Sequence, residues 1–107
     1  MTNDVLSRLA ETIRARRGAD GEKSYTRSLL DGGPRTCAKK LGEEAVETVM
    51  AAVSESDEAL RAEAADLLYH LIVVLEARRV SLADVLEELE KRMGQSGHDE
   101  KAARSGG

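Results

Sequence analysis

A chain of 107 residues with no Phe, no Trp and two Tyr must build its interior from Leu, Val, Ile, Met and Ala. Small and aliphatic side chains close up well between helices, whereas sheets draw on aromatic and β-branched residues for their faces. The apolar positions repeat at three and four residues, the helical period, and neither hairpin turn chemistry nor an internal repeat interrupts them. The reading is an all-α, antiparallel helical bundle in a single domain over 1–93, followed by a disordered tail over 94–107 that carries no apolar period. At 41% hydrophobic, a monomer this short buries only roughly 60–70% of its unfolded surface. A homo-oligomer is therefore expected to complete the core.

Five segments follow from the pattern. Val5, Leu6, Leu9 and Ile13 mark an amphipathic helix over about 4–17, ended by Gly18 to Gly21. Ser24 to Leu30 forms a short helix before the Asp31-Gly32-Gly33 break. Pro34 opens a long helix to about Ser54, with Cys37, Leu41, Ala45, Val49, Ala52 and Val53 as its expected core stripe. Gly42 in its interior costs about 1 kcal/mol of propensity against alanine, for which a close helix neighbour, a ligand or chance are the available reasons. A helix from Leu60 to about Arg78 carries Leu60, Ala64, Leu67, Leu68, Leu71, Val74 and Leu75. Ser81 with Asp84 resembles a capping box and starts the last helix, about 81–92.

Several function classes drop out. Sixteen Lys+Arg against 20 Asp+Glu leave a net charge of -4, with no basic block and no aromatic platform for a nucleic-acid groove. The most apolar stretch, Leu67 to Leu75, contains His70 and falls far short of the about 20 residues a membrane span needs. Cys37 is alone, which excludes an intrachain disulfide and a cysteine-rich zinc site and points to a cytoplasmic setting. Asp4 and Glu11 break the apolar run a signal peptide would need.

The acids carry the chemistry. Glu44 and Glu47 are three apart, as are Glu63 and Asp66, so each pair projects from one face of its helix. Two such helices packed side by side bring four carboxylates to one point, and all-oxygen coordination favours Mg²⁺ or Mn²⁺ over zinc. The alternative is solvent-facing acids on a protein that is 34% charged, with Lys40 pairing to Glu44 along the helix. Glu63 and Asp66 immediately precede the most apolar stretch, where an uncompensated carboxylate is costly and a metal offsets the repulsion.

Gly42-Glu43-Glu44-Ala45-Val46-Glu47, followed by Glu63-Ala64-Ala65-Asp66-Leu67-Leu68-Tyr69-His70, closely resembles the phosphoribosyl-ATP pyrophosphatase family. That family lies within the all-α nucleoside triphosphate pyrophosphohydrolases, with the MazG-like and dUTPase-like proteins. The resemblance spans about 24–92, including Ser24-Tyr25-Thr26 and Ser81 to Val85, and no acidic motif position is lost. It implies a MazG-like helical homodimer with active sites shared between subunits. It also implies Mg²⁺-dependent hydrolysis of the α–β phosphoanhydride of phosphoribosyl-ATP to phosphoribosyl-AMP and pyrophosphate, the second step of histidine biosynthesis. The cyclohydrolase domain of fused relatives is expected to be absent, since the chain has neither its length nor its cysteine ligands.

On this resemblance Glu44, Glu47, Glu63 and Asp66 bind Mg²⁺, and Glu43 assists from the edge as a water-orienting base or second-metal ligand. Lys39 and Lys40, one turn earlier, are candidate phosphate contacts or solvent-exposed ion pairs, and Arg35 is a further candidate. Tyr25 and Thr26 are candidates for the ribosyl or phosphate end, with Tyr25 equally readable as a packing anchor. His70, four residues beyond Asp66, reads as a phosphate contact, a partner of the ligands, or a packed histidine. Cys37 and the tail residue His98 read as structural or incidental. A broader nucleotide pyrophosphatase and a non-catalytic helical dimer are the competing classes.

Overall fold

Three serines set where helices begin. The hydroxyls of Ser24, Ser56 and Ser81 each accept a backbone N–H from the following first turn, from Arg27, Ala59 and Ala83 respectively. The computed structural model describes residues 4–18 and 24–94. Within them lie α1 (Asp4–Arg16), α2 (Tyr25–Asp31), α3 (Gly33–Ser54), α4 (Asp57–Ala77) and α5 (Leu82–Met93), with no strand among the described residues. The tail expected from 94, apart from Gly94 itself, lies outside the described residues, as do His98 and residues 19–21 of the first linker.

The elements match the sequence expectation closely. α4 starts at Asp57 and not Leu60, because Ser56 caps it and Asp57 and Glu58 place negative charge at the positive end of the helix. At Ser81 the cap partner is the N–H of Ala83, one position before the Asp84 of the expected box. Gly33, at φ +83°, provides the backbone conformation that turns α2 into α3, and Pro34 follows in the first turn.

Only Glu55 and Ser56 separate α3 from α4, so the two long helices fold back on one another. Contacts run in opposite chain directions: the Thr48 hydroxyl reaches the carbonyl of Glu63, while Cys37 shares the core with Ile72 and Val73. The core adds Ile13 from α1 and Leu29 and Leu30 from α2, and the Cys37 thiol donates to the Leu29 carbonyl over 3.2 Å. Burial pushes this thiol up from its ordinary value, which suits a structural role. The end of α1 is fastened to α4 by Arg17, whose guanidinium donates to the Glu76 carboxylate at 2.9 Å and to the Glu76 carbonyl at 2.6 Å.

The core stripe expected on α3 needs correction. Cys37 is buried, but Val49 and Val53 are 61% and 80% exposed, and Ala52 is exposed too. The side facing α4 carries small residues, Cys37, Ala45, Thr48 and Ala51, which let the helices approach closely, together with half-buried Leu41, while Val46, Val49, Met50 and Val53 are exposed. On α4, Leu68 and Leu71 are likewise partly exposed, while His70, Ile72 and Val73 are buried. No close helix neighbour explains Gly42, where an added Cβ would meet open space.

Two consequences are measurable by urea unfolding. Ile72→Ala should cost about 2–5 kcal/mol, and Leu68→Ala should cost clearly less because Leu68 is 44% exposed. Gly42→Ala should stabilise the chain by about 1 kcal/mol, since it gains helix propensity without a clash.

Candidate metal centre

The antiparallel contact of α3 and α4 turns the two acid pairs toward each other. Ligand atoms of Glu44, Glu47 and Glu63 lie within 4.8 Å of one another, and those of Glu44, Asp66 and His70 form a second such group. Glu44 belongs to both. Glu44, Glu63 and Asp66 are half-buried and Glu47 is exposed. Thr48 braces this region from the backbone side: its hydroxyl lies 2.8 Å from the Glu44 carbonyl and 3.2 Å from that of Glu63, which fixes the register of the acids across the helix pair.

Crowded carboxylates resist ionisation. A hydrogen bond shared with Asp66, followed by partial burial and the Asp66 charge, holds the Glu44 carboxyl above its ordinary value. Glu63 is raised as well, first by desolvation and then by the charges of Glu47, Asp66 and Glu55. A group of oxygen donors that repel one another is the setting in which a hard divalent cation binds, because its charge relieves the repulsion.

The other expected site residues divide into two sets. Tyr25, Thr26 and His70 meet next to Asp66. The Tyr25 hydroxyl lies 3.2 Å from His70 Nε2, His70 Nδ1 lies 2.9 Å from the Asp66 carbonyl, and Thr26 is hydrogen-bonded to the Tyr69 hydroxyl. Lys39, Arg35 and Glu43 are exposed on α3 and belong to neither ligand group. The Lys40 ammonium pairs with Glu43 at 3.4 Å and not with Glu44, because Glu44 turns inward to Asp66; this contact raises the Lys40 value.

Sequence reasoning missed Thr48 and Tyr69 as parts of the site. Thr48 has a recoverable signal, a hydroxyl residue four after Glu44 able to bond back to its carbonyl. Tyr69 has none, because its partner Thr26 lies on a separate helix 43 residues away.

A helical protein whose two central antiparallel helices converge four carboxylates is a candidate metal-dependent hydrolase of the all-α class. The chain belongs to the phosphoribosyl-ATP pyrophosphohydrolase family, whose pattern matches residues 6–93. It is 57% identical over 100 residues to the phosphoribosyl-ATP pyrophosphatase of Dinoroseobacter shibae, covering 94% of this chain and 98% of that protein. Its identity to the enzyme of the same name from Paracoccus denitrificans is 58%, with 92% of each chain covered. For Caulobacter vibrioides the identity is again 58%, over 95% of this chain and 94% of the relative.

The raised Glu44 carboxyl has a signed consequence. An acid that holds its proton more tightly when folded contributes stability below the ordinary carboxylate range, and that contribution is lost as pH rises through the raised value. In metal-free protein, Glu44→Gln should therefore gain thermal midpoint relative to the parent as pH rises from about 4 to neutrality, measured by circular dichroism melts in chelator.

Proposed function

We propose that this chain hydrolyses the α–β phosphoanhydride of 1-(5-phospho-β-D-ribosyl)-ATP, releasing pyrophosphate and the AMP derivative, with Mg²⁺ as cofactor. The observation that carries the reading is the convergence of Glu44, Glu47, Glu63 and Asp66 from two helices, in a chain that belongs to this family over most of its length. The activity is the second step of histidine biosynthesis, and the lone, buried thiol of Cys37 suits a reducing cytoplasm.

In this reading the four carboxylates hold Mg²⁺, whose charge, when bound, compensates that developing on the triphosphate oxygens and favours pyrophosphate departure. Glu43 lies at the rim, 48% exposed, where it can orient water or share a second ion. Lys39, Lys40 and Arg35 offer cationic side chains on the outer side of α3 for phosphate, and Tyr25 and Thr26 adjoin the acids from α2 for the ribosyl end. The single catalytic domain is assigned to 1–93, with 94–107 as a tail outside it.

A homodimer of the MazG-like type completes the site. Val46, Val49, Met50 and Val53 recur at helical spacing on the outer face of α3, each more than half exposed at 59%, 61%, 57% and 80%. Val46 and Met50 line an open groove of about 520 Å³ together with Glu43, Glu47 and Glu55. A contiguous apolar stripe beside the acids favours a second copy packed there, with both subunits bordering each site.

Pyrophosphate release from phosphoribosyl-ATP, with and without Mg²⁺ and with ATP and dUTP in parallel, tests the assignment. Metal-dependent turnover confined to phosphoribosyl-ATP is expected. Turnover confined to another nucleotide would retain a pyrophosphohydrolase and overturn the pathway, and a folded dimer inert to all three would leave a structural protein. Glu44→Gln and Asp66→Asn should each lower kcat at least about 100-fold with helicity retained. Full activity in both would overturn the four-carboxylate site.

A further inference from the structure

We infer that His70 is a positioning residue for the metal centre: its Nδ1–H orients Asp66, and the Tyr25 hydroxyl fixes the tautomer that makes this possible. The inference rests on the proposed metal-dependent hydrolysis and adds the groups that hold one ligand in place. His70 is 3% exposed, in the middle of α4. Its Nδ1 lies 2.9 Å from the backbone carbonyl of Asp66 and 3.3 Å from Asp66 Oδ1. A carbonyl oxygen only accepts, so the proton is on Nδ1. That nitrogen has no lone pair for a cation, which makes His70 a support for Asp66 and not a fifth ligand.

The remaining ring nitrogen is accounted for as well. In the neutral ring Nε2 is an acceptor, and the Tyr25 hydroxyl stands 3.2 Å away to donate to it. Tyr69 packs edge-on against the imidazole, with ring centroids 4.9 Å apart and planes at 89°, and this limits rotation of the ring. The line Tyr25 to His70 to Asp66 thus joins α2 to the acids of α4. A histidine set in this way restricts the orientation of the carboxylate before a cation arrives, so less ordering is lost on binding.

The two nitrogens can be separated by substitution. Asparagine places an amide N–H near Nδ1, whereas glutamine reaches toward Nε2 and leaves the Asp66 side without a donor. Binding of Mn²⁺ to the full chain is read by electron paramagnetic resonance, with folding monitored by circular dichroism and pyrophosphate release measured alongside. His70→Gln should weaken Mn²⁺ binding about 10- to 100-fold, and His70→Asn should restore it to within about threefold of the parent. A folded His70→Gln chain that binds Mn²⁺ like the parent overturns the inference, as does equal loss in the two variants. Should both fail to fold, Tyr25→Phe decides, because Tyr25 is 54% exposed and the change removes one hydroxyl. Weaker Mn²⁺ binding supports the line and unchanged binding overturns it. A parent chain that binds no Mn²⁺ and releases no pyrophosphate overturns the metal-dependent reading itself, whereas an active parent with an indifferent His70 removes the positioning role alone.

Discussion

The candidate metal centre depends on how closely α3 can lie against α4. Close approach requires small side chains between them, and Cys37, Ala45, Thr48 and Ala51 provide that surface. The same approach forces Glu44 and Glu47 onto Glu63 and Asp66. Packing favours the contact and charge opposes it, with Thr48 tying the two helices at the level of the acids. The raised carboxyls of Glu44 and Glu63 are the residue of that conflict. A bound divalent cation would reverse its sign, turning the repulsion into affinity.

The scarcity of aromatic residues gives the two tyrosines unusual weight. Tyr25 and Tyr69 stand with ring centroids 6.4 Å apart, and each also contacts His70. The aromatic residues of the chain thus border the acids: Tyr25 is exposed, and Tyr69 packs against the core of Ile13, Leu29, Leu30, Ile72 and Val73. Hydrophobic burial of that aliphatic set holds the helices together, while the polar ends of the tyrosines tie α2 to α4. Partial burial holds the Tyr69 phenol above its ordinary value, while its hydrogen bond with Thr26 pulls the other way.

Most helix positions and the acid pairs were legible because both depend on local rules: the capping pattern at Ser81, the Gly32-Gly33 break before Pro34, and the three-residue spacing of carboxylates on a helix face. The inward face of α3 was legible only in its first half, where Cys37, Leu41 and Ala45 are buried or half-buried. Periodicity finds apolar stripes, but α3 has a small one and a large one, and hydrophobicity alone selects Val49 and Val53 where close packing selects Ala51. Pairing across elements was equally hidden. No local pattern singles out Glu76, yet it anchors Arg17 from 59 residues away. His70 reads as a histidine among leucines, and only the fold brings the Tyr25 hydroxyl to its far nitrogen.

Glu44 carries more of the proposed centre than its neighbours do. It is the carboxylate common to the group with Glu47 and Glu63 and the group with Asp66 and His70, and its value is raised by contact with Asp66. It is also held at both ends: its carbonyl faces the Thr48 hydroxyl on α3, while its side chain meets Asp66, which His70 contacts from within α4. Exposed carboxylates spread over several rotamers and lose that freedom on binding a cation. A carboxylate set against Glu47 and Glu63 on one side and Asp66 on the other, with Asp66 already constrained, has less to lose. The asymmetry between half-buried Glu44 and exposed Glu47 follows from where α4 passes over α3, so the helix crossing that builds the core also ranks the carboxylates of the candidate centre.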